Sequence, residues 1–119
     1  MIKGIGCDIV EINRFEELAD NQKFFKKVYT EYEQERVKDS PVHTAAGIWA
    51  AKEAVSKALG TGFAGFKITD IEICTDTSGR PYVNLYGGAE QLFNRLGCEH
   101  LYISISHERS QAVAFCVIE

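Results

Sequence analysis

Trp49-Ala50-Ala51-Lys52-Glu53-Ala54-Val55-Ser56-Lys57-Ala58-Leu59-Gly60-Thr61-Gly62 is the stretch that decides the fold. It reads as the end of a helix built largely of small residues and stopped by glycine. Glu53 and Lys57 are four residues apart, so on a helix they share one face one turn apart, with Trp49 a turn earlier on the same stripe. A carboxylate and an ammonium therefore point into the same space. On an ordinary exposed helix such a pair contributes only about a few tenths of a kcal/mol. Here Ala50, Ala51, Ala54 and Ala58 make the helix slim enough for close packing. Upstream, Ser40-Pro41 gives an N-cap followed by a first-turn proline, so the helix is predicted from about Pro41 to Leu59, as the spine of the fold. Downstream, Gly60-Thr61-Gly62 leaves backbone N–H groups able to approach a phosphate.

The N-terminal segment Met1 to Val10 reads as a strand, leading into Glu11-Ile12-Asn13-Arg14. Strand alternation puts Gly4, Gly6 and Asp8 on one face, and Ile5, Cys7 and Ile9 on the other. Glycine inside a strand marks a place where a backbone or a ligand comes close, so either a helix or a ligand packs beside the aspartate. An aspartate in an apolar strand costs free energy unless it is paired or bound to a metal. A cation shared with a second carboxylate explains it economically, and Glu53 is the candidate second ligand.

The remaining elements are predicted from local signals. Gln22 to Tyr29 carries Phe24, Phe25 and Val28 at helical spacing, with Lys23, Lys26 and Lys27 as a local basic patch. Thr30-Glu31-Tyr32-Glu33 matches a capping box opening a helix that runs to about Lys38. Asp70 to Thr75 and Pro81 to Leu85 form a hairpin around Asp76-Thr77-Ser78-Gly79-Arg80. A short helix from Ala89 to Leu96 ends at Gly97. Two strands, Leu101 to His107 and Ala112 to Ile118, close the chain. The last is apolar at nearly every position, so both of its faces need cover, from a helix and a partner subunit or from two internal layers.

Composition sets the outer limits. The chain has 119 residues, 45% hydrophobic content and a net charge of -4. That is a single small globular domain over residues 1–119, with enough apolar material for a modest core. The acidic balance argues against a nucleic-acid partner met by a general basic surface. No signal peptide or membrane-length apolar run occurs, so a cytoplasmic protein without membrane attachment is expected. Cys7, Cys74, Cys98 and Cys116 are scattered, which argues against a zinc site or a disulfide framework. They are expected to be reduced, with three buried in strands.

Three separated motifs resemble those of the holo-acyl-carrier-protein synthases, the small bacterial-type phosphopantetheinyl transferases. They are Gly4-Ile5-Gly6-Cys7-Asp8-Ile9-Val10-Glu11 with Arg14, Ala50-Ala51-Lys52-Glu53-Ala54 with Lys57 and Gly60-Thr61-Gly62, and Ile105-Ser106-His107. They occur in the family's order, and the resemblance runs from Met1 to Ile118. It implies an α+β fold of the 4'-phosphopantetheinyl transferase type, a small antiparallel sheet on a long central helix, assembled as a homotrimer with sites between subunits. It implies transfer of 4'-phosphopantetheine from coenzyme A to a serine of apo-acyl carrier protein, releasing adenosine 3',5'-bisphosphate, in support of fatty acid biosynthesis.

The roles that follow from the resemblance fall on specific residues. Asp8 and Glu53 would hold magnesium, with manganese as an alternative, and Lys57 would complete the catalytic set. Lys57, Gly60, Gly62, Pro81, Ser106 and His107 would line the coenzyme, Ser106 and His107 at its nucleotide end and Pro81 beside the adenine. Arg14, with Lys23, Lys26 and Lys27, would receive the acidic carrier protein. One departure stands out: family members often carry an arginine before the aromatic of the long helix, and this chain has Ile48 before Trp49. The alternative reading is a non-catalytic coenzyme or nucleotide-binding module that keeps the same metal pair.

Overall fold

The computed structural model describes residues 1–18, 20–38 and 42–119. In chain order the elements are β1 (Gly4–Glu11), α1 (Asn13–Leu18), α2 (Gln22–Val28), α3 (Glu31–Lys38), α4 (Val42–Leu59), a 3-10 turn (Ile68–Asp70), β2 (Ile71–Thr75), β3 (Pro81–Leu85), α5 (Gly87–Arg95), β4 (Leu101–His107) and β5 (Gln111–Ile118). The predicted helix start at Ser40-Pro41 lies outside the described residues. From Val42 to Leu59 the spine is as expected.

Two antiparallel sheets flank this spine: a three-stranded sheet in the order β1-β5-β4 and the separate hairpin β2-β3. β5 is central, pairing Cys7 with Phe115 on one side and Ser104 with Phe115 on the other. Its inward residues Ala112, Ala114, Cys116 and Ile118 are all buried. Against them lie Ala50, Ala51, Ala54, Val55 and Ala58, also buried, so alanine faces alanine and the helix sits close to the sheet. The opposite sheet face is left open in a single chain. Ile5 and Ile9 are each 60% exposed and Phe115 48%, so this face presents large apolar side chains to solvent.

Trp49 does not join Glu53 and Lys57 in open space. It packs on Phe15 and Phe24 with ring centroids 6.2 and 5.9 Å away, clamping α1 and α2 to the side of α4. The capping box at Thr30 forms as expected: Thr30 N–H donates to Glu33 Oε1 at 2.9 Å, and Glu33 N–H to Thr30 Oγ1 at 3.3 Å. α5 starts at Gly87, two residues before the predicted Ala89, because the Asp70 carboxylate accepts the Gly88 N–H at 3.2 Å and opens the helix there. Cys74, Cys98 and Cys116 are buried and Cys7 is exposed, all as free thiols. Two cysteines, Cys74 and Cys116, are thus buried in strands and not the expected three, since Cys7 on β1 is exposed, while Cys98 is buried in the connection after α5, where its N–H closes that helix on the Phe93 carbonyl.

Glu33 does more than cap α3. Its carboxylate and the Lys52 ammonium are 2.7 Å apart, and neither side chain has any exposed surface. Lys52 also donates to the carbonyls of Ile71 at 2.7 Å and Ile68 at 3.3 Å, while Glu33 Oε2 accepts the Ile73 N–H at 2.6 Å. Burial lowers the Lys52 pKa and the Glu33 carboxylate opposes that shift. This one pair joins α3, α4, the 3-10 turn and β2.

Glu33→Ala leaves the ammonium buried and uncompensated, so unfolding in denaturant should show a loss of about 3–5 kcal/mol. The double variant Glu33→Met with Lys52→Met should lose less than the single one, since no charge is then stranded. A loss below about 1 kcal/mol in Glu33→Ala would show that the pair does not anchor the fold.

Candidate active site

The site is positioned by the contact of β1 with α4. A Cβ added at Gly4 would lie 2.1 Å from the Ala58 carbonyl oxygen, and one at Gly6 only 1.8 Å from that of Ala54. The strand glycines thus mark a helix contact, not a ligand. Two residues further along the same face, Asp8 reaches the flank of the last turns of α4. Lys57 Nζ donates to Asp8 Oδ1 at 3.0 Å and to the Cys7 carbonyl at 2.9 Å. Lys57 therefore pairs with an aspartate 49 residues away, not with Glu53 on its own helix.

Glu53 completes the group. Burial pushes its carboxyl above the usual carboxylate range, the neighbouring Asp8 carboxylate pushes it further, and Lys57 pulls the other way. Two carboxylates and one ammonium thus share a half-buried pocket of field, which is the arrangement expected where charge must be neutralised during a reaction. Among the described residues, no three His, Cys, Asp or Glu side chains cluster as a metal cage. Asp8 and Glu53 supply two hard oxygen donors. That suits magnesium, which takes one or two carboxylates and completes its shell with water and substrate phosphate, and it does not suit structural zinc.

The glycine loop after α4 behaves differently from its sequence reading. The Gly60 N–H donates to the carbonyls of Ser56 at 3.2 Å and Lys57 at 3.0 Å, closing the helix, so that amide is not offered to a phosphate. Gly60 and Gly62 hold φ of +88° and +59°, and a Cβ at either would meet nothing within 4 Å. The loop turns sharply into open space beside Lys57.

At the other end of α4, Gly47 lets β4 come near: a Cβ there would stand 3.2 Å from Ile105 Cγ2. One turn further toward the helix start, His43 stacks on His107, with ring centroids 4.0 Å apart and an interplanar angle of 21°. The stacked rings stand between two cavities. One, of about 500 Å³, has Ile12, Glu16 and Arg109 in its wall, and the other, of about 270 Å³, has Arg36, Ile48 and Pro81. Pro81 and His107 are thus brought together. Ser106 is not with them, since alternation along β4 turns it to the open face of the sheet, opposite Val113. His43 and Arg36 carried no local sequence signal. His43 is recognisable only once β4 is laid along α4.

Arg14 is exposed at the start of α1, and Lys23, Lys26 and Lys27 are exposed on α2. The aromatic clamp on Trp49 fixes both helices. Among the described residues, no helix is long and apolar enough to cross a membrane.

Comparison with known proteins bears on this arrangement. Residues 4–116 match the model of the 4'-phosphopantetheinyl transferase superfamily. The chain is 45% identical over 123 residues to a holo-[acyl-carrier-protein] synthase of Halothermothrix orenii, covering all of this chain and 98% of that protein. It is 46% identical over 122 residues to the protein of that name from Clostridium acetobutylicum, with the same coverage. Among solved structures, a Helicobacter pylori holo-[acyl-carrier-protein] synthase in complex with coenzyme A superposes with a TM-score of 0.86 at 31% identity, covering 97% of this chain and 99% of that one. A Bacillus anthracis holo-(acyl-carrier-protein) synthase in complex with CoA (3',5'-ADP) gives 0.83 at 36% identity, covering 99% and 96%. By the family match and by full-length identity, the chain belongs to the 4'-phosphopantetheinyl transferase superfamily, among its holo-[acyl-carrier-protein] synthases.

Proposed function

We propose that this chain transfers 4'-phosphopantetheine from coenzyme A to a serine of an apo-acyl carrier protein, releasing adenosine 3',5'-bisphosphate, with magnesium held by Asp8 and Glu53. Manganese is the alternative ion. The observation that carries the reading is the convergence of Asp8, Glu53 and Lys57, drawn from β1 and α4 by a contact too close for a Cβ. The reaction belongs in the cytoplasm and in the supply of carrier protein for fatty acid synthesis. Four unpaired cysteines are in keeping with that compartment.

The serine oxygen attacks the pantetheine-side phosphorus of the coenzyme's pyrophosphate, and the bond from that phosphorus to the bridging oxygen breaks. Phosphoryl transfer of this kind needs alignment and charge neutralisation more than covalent help. A divalent cation bound by Asp8 and Glu53 would supply neutralisation of the pyrophosphate. Lys57 is half-exposed, so its ammonium is open to a phosphate oxygen as well as to Asp8 and would stabilise the charge that gathers on the leaving group. Glu53, or a water oriented by it or by Asp8, would take the serine proton. The turn at Gly60 and Gly62 leaves room for the coenzyme to run past the helix end.

The nucleotide end of the coenzyme is assigned to the cavities around His107 and Pro81. Ser106 faces the open side of the sheet while His107 faces α4, so a coenzyme touching both lies across a subunit boundary. The open apolar face supports the same assembly, a homotrimer that covers Ile5, Ile9 and Phe115. Arg14, Lys23, Lys26 and Lys27 form the basic surface for the acidic carrier protein, diluted by Glu16, Glu17 and Asp20.

Incubation of an apo-acyl carrier protein with this protein, coenzyme A and magnesium should add one phosphopantetheine to its intact mass, and a chelator should prevent the gain. Glu53→Gln and Asp8→Asn should each slow the transfer by roughly a hundredfold or more while leaving the fold intact. No gain with any carrier protein, despite coenzyme binding, would favour the binding-module reading, and near-normal turnover in either variant would remove the metal pair.

Lys57→Ala should lower kcat more than it weakens coenzyme binding, since its charge acts mainly on the leaving group. An effect confined to affinity would make Lys57 a binding residue only.

Sedimentation of the intact protein should give three chains per particle, and Phe115→Glu should dissociate them and lower transfer in parallel. A fully active monomer would overturn the shared-site assembly.

A further inference from the structure

The segment that leaves α4 beside Lys57 is fastened at its far end by an element on which none of the three motifs lies. Between Gly60 and the 3-10 turn, Gly62 and Gly65 hold φ of +59° and +88°, and the Ala64 N–H donates to the Thr61 carbonyl at 3.3 Å. Thr61, Gly62, Ala64 and Gly65 are exposed. The packing of the loop comes from Phe63 and Phe66, whose rings meet edge to face at 5.8 Å and rest partly buried on the core. A glycine-bearing, exposed loop has many backbone conformations open to it unless contacts outside the loop select one.

The start of α5 supplies those contacts. Asp70 Oδ2 accepts the Lys67 N–H, the last amide of the loop, and also the Gly88 N–H of α5, each at 3.2 Å. The Asp70 carbonyl accepts the Tyr86 N–H at 2.8 Å. Close fit adds to these bonds. A Cβ at Gly87 would stand 2.9 Å from that same Asp70 oxygen, and one at Gly88 would run into the Gly65 carbonyl oxygen and stand 2.9 Å from Phe66 Cβ. Alanine suits a helix better than glycine does, so Gly88 is accounted for by the loop backbone lying against it and not by the needs of α5.

We propose that Asp70 is a positioning residue for coenzyme binding. With one oxygen it ties the loop end to the start of α5, and so fixes the course of Thr61 to Phe66 beside Lys57. This rests on the reading that the coenzyme runs past the end of α4 at Gly60 and Gly62. It gives α5 and the 3-10 turn a part in coenzyme affinity. Asp70 acts through the loop, not on the reacting phosphorus.

Both amides bond to a single oxygen, so Asp70→Asn can offer its amide oxygen to both, whereas Asp70→Ala leaves both without that acceptor. Hydrogen exchange of the 61–67 amides reads the loop, and titration calorimetry with coenzyme A and magnesium reads binding. In Asp70→Ala the loop amides should exchange faster and coenzyme A should bind roughly tenfold more weakly. Turnover at saturating coenzyme should stay within about twofold, with the KM for apo-acyl carrier protein unchanged. Asp70→Asn should return both loop exchange and coenzyme affinity to near those of the intact protein. If Asp70→Ala fails to fold, Gly88→Ala, which displaces Gly65 from the other side and keeps Asp70, must weaken coenzyme binding by itself. Loop exchange unaltered in Asp70→Ala, coenzyme affinity unaltered despite a loosened loop, or equal losses in Asp70→Asn and Asp70→Ala would each overturn the inference, while the coenzyme reading stands on binding to the intact protein. An intact protein that binds no coenzyme A overturns that reading and the inference with it.

Discussion

The buried Lys52–Glu33 pair is the constraint on which the rest of the structure depends. An ammonium and a carboxylate with no exposed surface are stable only when every remaining donor and acceptor is met. Here the partners that meet them are backbone groups of Ile68, Ile71 and Ile73 and of the Thr30 cap. The hairpin β2-β3 makes no ladder with the main sheet, so this network, together with the burial of Ile71 and Ile73, holds it against α4. Pro81 on that hairpin forms one wall of the cavity of about 270 Å³. An ion pair in the interior is thereby linked, through the hairpin, to a cavity at the surface.

The other fixed relation is the seating of β1 on α4. Because Gly4 and Gly6 have no side chains, the strand rests on the carbonyls of Ala58 and Ala54. Asp8 then follows two residues later, with the same facing, at the height of Lys57. The side chains of the site need no loop to position them. They stand on a strand and a helix whose separation has no slack, the kind of scaffold that holds reacting groups in narrow geometry.

Much of this was legible in the sequence because its signals are local. The glycine stop after Leu59, the Thr30–Glu33 capping box and the Asp76–Arg80 hairpin loop each depend on neighbours within a few residues, and each formed at or near its predicted place. The motif residues Asp8, Glu53 and Lys57 were found by spacing and resemblance. What remained hidden depends on long-range pairing. Lys52 and Glu33 look like ordinary surface charges until β2 supplies the carbonyls and the amide between them. His43 acquires a partner only through the register of β4 against α4, and Ser106 parts from His107 only through strand alternation. The amide of Gly60 was misjudged because the last turn of α4 claims it first.

The two ion pairs also differ in how far solvent reaches them. Glu33 and Lys52 are fully enclosed, whereas Lys57 keeps 51% and Asp8 17% of its side-chain surface open. Raising ionic strength from about 0.01 M to about 1 M shortens the screening length from roughly 30 Å to roughly 3 Å. Dissolved ions therefore compete with the Asp8–Lys57 attraction and hardly touch the enclosed pair. Salt weakens the electrostatics of the reacting end while the architecture behind it holds, so brine tolerance of the fold and brine tolerance of the chemistry are separate properties of this chain.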